Sequence, residues 1–225
     1  MKRTPLFALV GLILVAPFIK AVAGETNHNF GQWEKEIAAF EASDRTNPPP
    51  KHAILFTGSS MIRKWTSLAQ TFPTQTLVRR GVGGCEIVDI THFADRIVFP
   101  YEPKMIFLRA GGNDIANGKS PEEVFNDYQD FVKTIHAKLP DTEIIFIGWN
   151  ATPLRWAQHE KEDTLNRMVR DFTAQTPHLQ YCKTSDMVLD QDGKPRKGLF
   201  ESDRLHFNAE GYKLLAERVQ PFLPK

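Results

Sequence analysis

Cysteine is scarce: Cys85 and Cys182 are the only two in 225 residues. Two thiols cannot form a disulfide framework for a domain of this size, so its stability has to come from an apolar core. In an exported chain they could bridge, but free buried thiols are the simpler expectation. Basic tracts are also missing, and aromatics are not interleaved with basic residues. The chain therefore has no electrostatic footprint for nucleic acid, and no such partner is expected. There is no internal repeat, no low-complexity linker and no long apolar lid segment. Seven histidines are present, yet no pair has the H-E-x-x-H spacing of a metal-binding helix. The expectation is chemistry without a metal or other cofactor.

One apolar run longer than the rest stands at the start. MKRTPLFALVGLILVAPFIKAVAG places Lys2 and Arg3 before an apolar stretch from Pro5 to Phe18, and Ala21-Val22-Ala23 follows as a small-x-small cleavage pattern. The stretch is too short for a membrane span, and polar sequence comes directly after it. Residues 1–23 read as a signal peptide, residues 24–225 as a single domain, and the location as secreted or periplasmic. Cleavage leaves 202 residues, a length that suits one compact core. Losing Lys2, Arg3 and Lys20 leaves 25 basic residues against 27 acidic ones.

Five short apolar runs, rich in β-branched residues, occupy 52–57, 76–80, 105–110, 143–149 and 179–183. Nearly continuous runs of this kind suit strands buried on both faces of a parallel sheet. Helical patterns separate them, over roughly 30–45, 60–70, 85–96 and 158–175. The strongest begins at Ser120-Pro121-Glu122-Glu123, a capping box with proline in the first turn. Val124, Phe125, Tyr128, Phe131, Val132 and Ile135 follow at helical spacing as one apolar stripe. A last helix, capped by Asn208, turns Tyr212, Leu215, Val219 and Phe222 inward. This alternation predicts a three-layer α/β fold around a central parallel sheet. Asn47-Pro48-Pro49-Pro50-Lys51 stops the first helix and is a loop within the domain.

In such sheets ligands bind beyond the carboxyl ends of the strands. Ser59 and Ser60 follow the first run, at a predicted helix start running through Ile62, Trp65 and Leu68. Backbone N–H groups there favour negative charge, so Ser60 could attack a carbonyl while its own N–H holds the oxyanion. A plain helix cap would use either serine equally well. A nucleophilic serine needs a base. His206 follows Asp203 by three residues, close enough for the carboxylate to fold back onto the imidazole. A turn aspartate beside a surface histidine would look the same. Gly83-Gly84 follow the second run and allow close backbone approach. Asn113 follows the third run, where its amide could donate to the same oxygen or merely cap a turn. Trp149 and Trp156 flank the loop after the fourth run and suit either sugar stacking or the core.

Together these segments resemble the four blocks of the SGNH hydrolases, the GDSL-type esterase/lipase family. The blocks are Gly58-Ser59-Ser60-Met61, Arg80-Gly81-Val82-Gly83-Gly84, Gly111-Gly112-Asn113-Asp114 and Asp203-Arg204-Leu205-His206. Ser59 stands where the family name has aspartate. The resemblance implies Ser60 as nucleophile, with Asp203 and His206 as its partners. It also implies an oxyanion hole built from Ser60, Gly84 and Asn113, and leaves Ser59 as a hydrogen-bonding neighbour. The implied fold is flavodoxin-like, a five-stranded parallel sheet in the order 2-1-3-4-5. The implied activity is metal-free ester hydrolysis. The chain is not the G-x-S-x-G elbow of α/β-hydrolases, since Ile62 stands at the second glycine position.

The expected function is a secreted serine ester hydrolase for short acyl groups, including acetyl groups on glycans. Its partner is a small-molecule or glycan ester, with no stable membrane insertion after signal cleavage. Two alternatives stay open. One is an acyltransferase using the same acyl-serine, and the other is a non-catalytic carbohydrate-binding protein on this scaffold.

Overall fold

A computed structural model describes residues 28–225. The signal-peptide reading of 1–23 lies outside the described residues. Five strands form one all-parallel sheet: β1 (Ile54–Gly58), β2 (Leu77–Gly81), β3 (Met105–Arg109), β4 (Glu143–Ile147) and β5 (Leu179–Cys182). Their order is β2-β1-β3-β4-β5, the order expected. Ile54 pairs with Leu77 on one side and Met105 on the other, so the carboxyl ends of β2, β1 and β3 finish level.

Side-chain alternation explains why these strands read as continuous apolar runs. Leu55, Ile106, Leu108, Ile144 and Phe146 enter one buried cluster. Ile54, Phe56, Phe107, Ile145 and Ile147 enter another. Both faces of the sheet are covered, so neither needs polar residues. The first cluster is closed by α1 (Glu34–Thr46), α4 (Ile87–His92), α5 (Ala94–Ile97), α7 (Pro121–Lys138) and α8 (His159–Thr173). The second is closed by α2 (Ser60–Arg63), α3 (Leu68–Thr71) and α9 (Ala209–Val219). A further short helix, α6 (Gly112–Ala116), follows β3. Among the described residues no helix is long and apolar enough to cross a membrane.

Local signals set several element ends. Ser120 and Glu123 make the reciprocal capping box of α7. Asn208 caps α9 by accepting from the Gly211 N–H at 3.1 Å. Tyr212, Leu215 and Val219 are buried, whereas Phe222, in the 3₁₀ turn after α9, is only partly so.

Two helices differ from expectation. The stretch 60–70 is two short helices, because the chain turns at Lys64–Ser67 and buries Trp65 completely. Trp65 packs edge-on to Phe56 and stacks on Tyr212, and that burial outweighs helix continuity. The stretch 85–96 begins instead at the Glu86 cap of α4, then breaks at Phe93 into α5.

Candidate active site

The carboxyl ends of β1, β2 and β3 and the loop before α9 meet at one edge. Ser60 is the first residue of α2. Its Oγ lies 2.8 Å from Nε2 of His206, and Nδ1 of His206 lies 2.6 Å from Oδ2 of Asp203. The carboxylate only accepts, so Nδ1 carries the proton and Nε2 is left to accept from Ser60.

The His206 loop is built for this placement. Phe200 and Phe207 form an antiparallel bridge, and the Glu201 N–H donates to the His206 carbonyl at 2.8 Å. Arg204 takes a left-handed φ of 61° at the tip. Oδ1 of Asp203 accepts from the backbone N–H groups of Leu205 and His206 at 2.9 and 3.0 Å. Burial opposes the Asp203 charge. The backbone bonds and the His206 ring outweigh it, holding the carboxyl far below the usual carboxylate range. Asp203 is thus a fixed anion beneath the imidazole. Tyr212 ties α9 to the nucleophile's helix by donating its hydroxyl to the Met61 carbonyl at 2.8 Å.

The two serines differ sharply. The Ser59 N–H donates to the Arg109 carbonyl, and the Ser59 carbonyl accepts from Ile62 and Arg63. Its side chain is buried and makes no cap bond. Ser59 was expected to act through side-chain hydrogen bonds; its contacts instead run through the backbone, because the tight turn already spends its N–H and C=O on fixing α2.

Three donors follow the carboxyl ends of β1, β2 and β3. The N–H groups of Ser60 and Gly84 have no acceptor among the described residues. Gly84 has φ +79°, and a Cβ there would meet the Trp33 ring at 3.2 Å, so the turn requires glycine. The neighbouring Gly83 N–H is already taken by Glu36 at 3.2 Å. Asn113, in the first turn of α6, donates from Nδ2 to the Cys85 carbonyl at 2.9 Å and keeps its second N–H. Its Oδ1 accepts from Nη1 and Nη2 of Arg155, both at 3.0 Å.

Two arginines were missed in the sequence. Arg109 ends β3 and is completely buried. It donates to the Gly148 carbonyl at 2.6 Å and to Oδ1 of Asn150 at 2.5 Å, while its guanidinium lies over Trp149. It therefore fixes the start of the loop that carries Arg155. A charged residue inside the apolar run Met105–Arg109 was the available signal. Trp149 belongs to the core, with Nε1 bonded to the Ala110 carbonyl and its ring against Gly112. Trp156 is partly exposed, stacked on His159 with Lys194 over its face.

Glu201, Asp203 and His206 bring ligand-type atoms within 4.8 Å of one another. These atoms already engage each other and a cation, since Lys64 Nζ sits 2.5 Å from Glu201 and 3.9 Å from Asp203. Cys85 and Cys182 are free and lie on opposite sides of the sheet.

The same architecture recurs among solved structures. One is a candidate platelet activating factor from Streptococcus pneumonia, 22% identical, with a TM-score of 0.76 over 87% of this chain and 94% of that one. A GDSL-like lipase from Bacteroides thetaiotaomicron is 15% identical, with a TM-score of 0.66 over 86% and 96%. An acetyl-xylooligosaccharide esterase from Geobacillus Stearmophilus is 14% identical, with a TM-score of 0.59 over 79% and 97%. At these identities the likeness is one of fold. No curated protein matches in sequence. The family model of the GDSL-like Lipase/Acylhydrolase family matches residues 57–214, a span holding every residue of the site. The chain belongs to that family, and so to the carboxylic ester hydrolases.

Proposed function

We propose that this protein is an exported serine esterase for short acyl esters, acetyl esters of glycans foremost. The observation that carries the reading is the continuous line Ser60 Oγ, His206 and Asp203, at 2.8 and 2.6 Å. His206 takes the Ser60 proton as Oγ attacks the ester carbonyl. The N–H groups of Ser60 and Gly84 and the free amide hydrogen of Asn113 hold the oxyanion. Asp203 steadies the imidazolium. His206 then protonates the leaving alcohol, and water attacks the acyl-serine by the same base. Each oxyanion donor supplies roughly 10²–10³ in turnover.

Export rests on the basic, apolar and small-residue pattern of residues 1–23. The short-acyl preference draws support from the missing lid segment and from a structural neighbour that is an acetyl-xylooligosaccharide esterase. The test pairs a fluorophosphonate probe with a p-nitrophenyl ester series from acetate to decanoate, run beside acetylated oligosaccharides. Ser60 should carry the label, and kcat/KM should fall as the acyl chain lengthens. An unlabelled Ser60 defeats the mechanism; a maximum at decanoate defeats the substrate class alone.

A further inference from the structure

The loop after β4 touches both arms of the site. Leu154 donates its backbone N–H to the carbonyl of Arg204, between Asp203 and His206. The next residue, Arg155, reaches the other arm. Its Nη1 and Nη2 converge on Oδ1 of Asn113, and Nη1 also donates to the Gly112 carbonyl at 3.1 Å. The Arg155 backbone is itself held, its N–H donating to Oγ1 of buried Thr152 at 3.2 Å.

We propose that Arg155 is a positioning residue of the oxyanion site, acting through the Asn113 amide. The oxygen and nitrogen of an asparagine amide are alike in size, so its hydrogen-bond partners decide which way it faces. A guanidinium only donates, so Oδ1 must face Arg155. The Cys85 carbonyl only accepts, so Nδ2 must face Cys85. These two contacts pin the amide at both ends and leave one N–H aimed away from either partner. The cation also draws electron density toward Oδ1, which strengthens the remaining N–H as a donor. Lysine cannot reproduce this, since a single ammonium lacks the two-pronged geometry.

The proposal rests on Asn113 being an oxyanion donor, so the experiment is a double-mutant cycle with p-nitrophenyl acetate. Arg155→Met should lower kcat by roughly 10- to 100-fold, as a misplaced catalytic group does, with KM changed less than about twofold. Arg155→Lys should restore only part of the loss. In the Asn113→Ala background, Arg155→Met should change kcat by less than about twofold, because the group it positions is gone. Equal losses in both backgrounds, or full activity in Arg155→Met, overturn the proposal. If Arg155→Met does not fold, Arg155→Lys carries the cycle, and an additive effect there overturns it equally. Unchanged kcat in Asn113→Ala marks a different failure, removing the donor role on which the inference stands.

Discussion

The backbone N–H of Ser59 donates to the carbonyl of Arg109 at 2.9 Å, stitching the end of β1 to the end of β3. That bond turns Ser59 inward and leaves Ser60 as the first helical residue, facing His206. The consequence separates two adjacent serines. Ser60→Ala should abolish turnover of p-nitrophenyl acetate, losing at least about 10⁴-fold. Ser59→Ala keeps the backbone bonds and should stay within about tenfold of the parent. The reverse ranking would move the nucleophile.

Asn113→Ala should cost roughly 10²–10³ in kcat, the range for one oxyanion donor. Asn113→Asp should be at least as damaging, since it sets a carboxylate beside the developing negative charge. Thermal melts of both variants distinguish lost chemistry from lost fold.

Stability should depend on pH through two buried carboxyls. Asp114 and Glu162 are each pushed up to about 7, chiefly by burial. Such groups hold their protons more tightly folded than unfolded. Their contribution is intact below the ordinary carboxylate range and is lost as pH rises through about 7. The melting temperature should therefore fall between pH 5 and pH 8. Glu162→Gln and Asp114→Asn, which cannot ionise, should each flatten that decline by on the order of 1–3 kcal/mol at pH 8. An unchanged slope in both variants would contradict this account.

Reducing agent should leave the melting temperature unchanged. Burial pushes the Cys85 thiol well above its ordinary range and raises Cys182 to about 12. Neither should react with a thiol reagent in the native protein, and both should react once it is unfolded. A melting temperature lowered by dithiothreitol would indicate a bridge.

Much of this architecture was legible in the sequence because it depends on near neighbours. The strands showed as apolar runs, since burial on both faces removes any polar alternation. The start of α7 was written into Ser120, Pro121 and Glu123. Ser60, Gly84 and Asn113 were singled out by one rule about strand ends, and Asp203 and His206 by their three-residue spacing before the last helix. What stayed hidden depends on distant contacts. The break after Arg63 exists because Trp65 finds Tyr212, far along the chain. Gly111 and Gly112 disguised α6 as a turn. Arg155 looked like a loop cation, and nothing local tells that its partner is Asn113.

The Ser60–His206 contact joins residues 146 positions apart. A fragment that begins after Ser60 or ends before His206 cannot hold both members of the proposed Ser60, His206 and Asp203 line. During refolding, compaction, strand pairing and burial of Trp149 can all precede the first turnover. Recovered esterase activity would then time the docking of the C-terminal segment, while fluorescence of Trp149, kept as the sole tryptophan of a variant, times collapse of the cluster that holds no residue of that segment. The lag between these two signals would measure how late the last piece arrives.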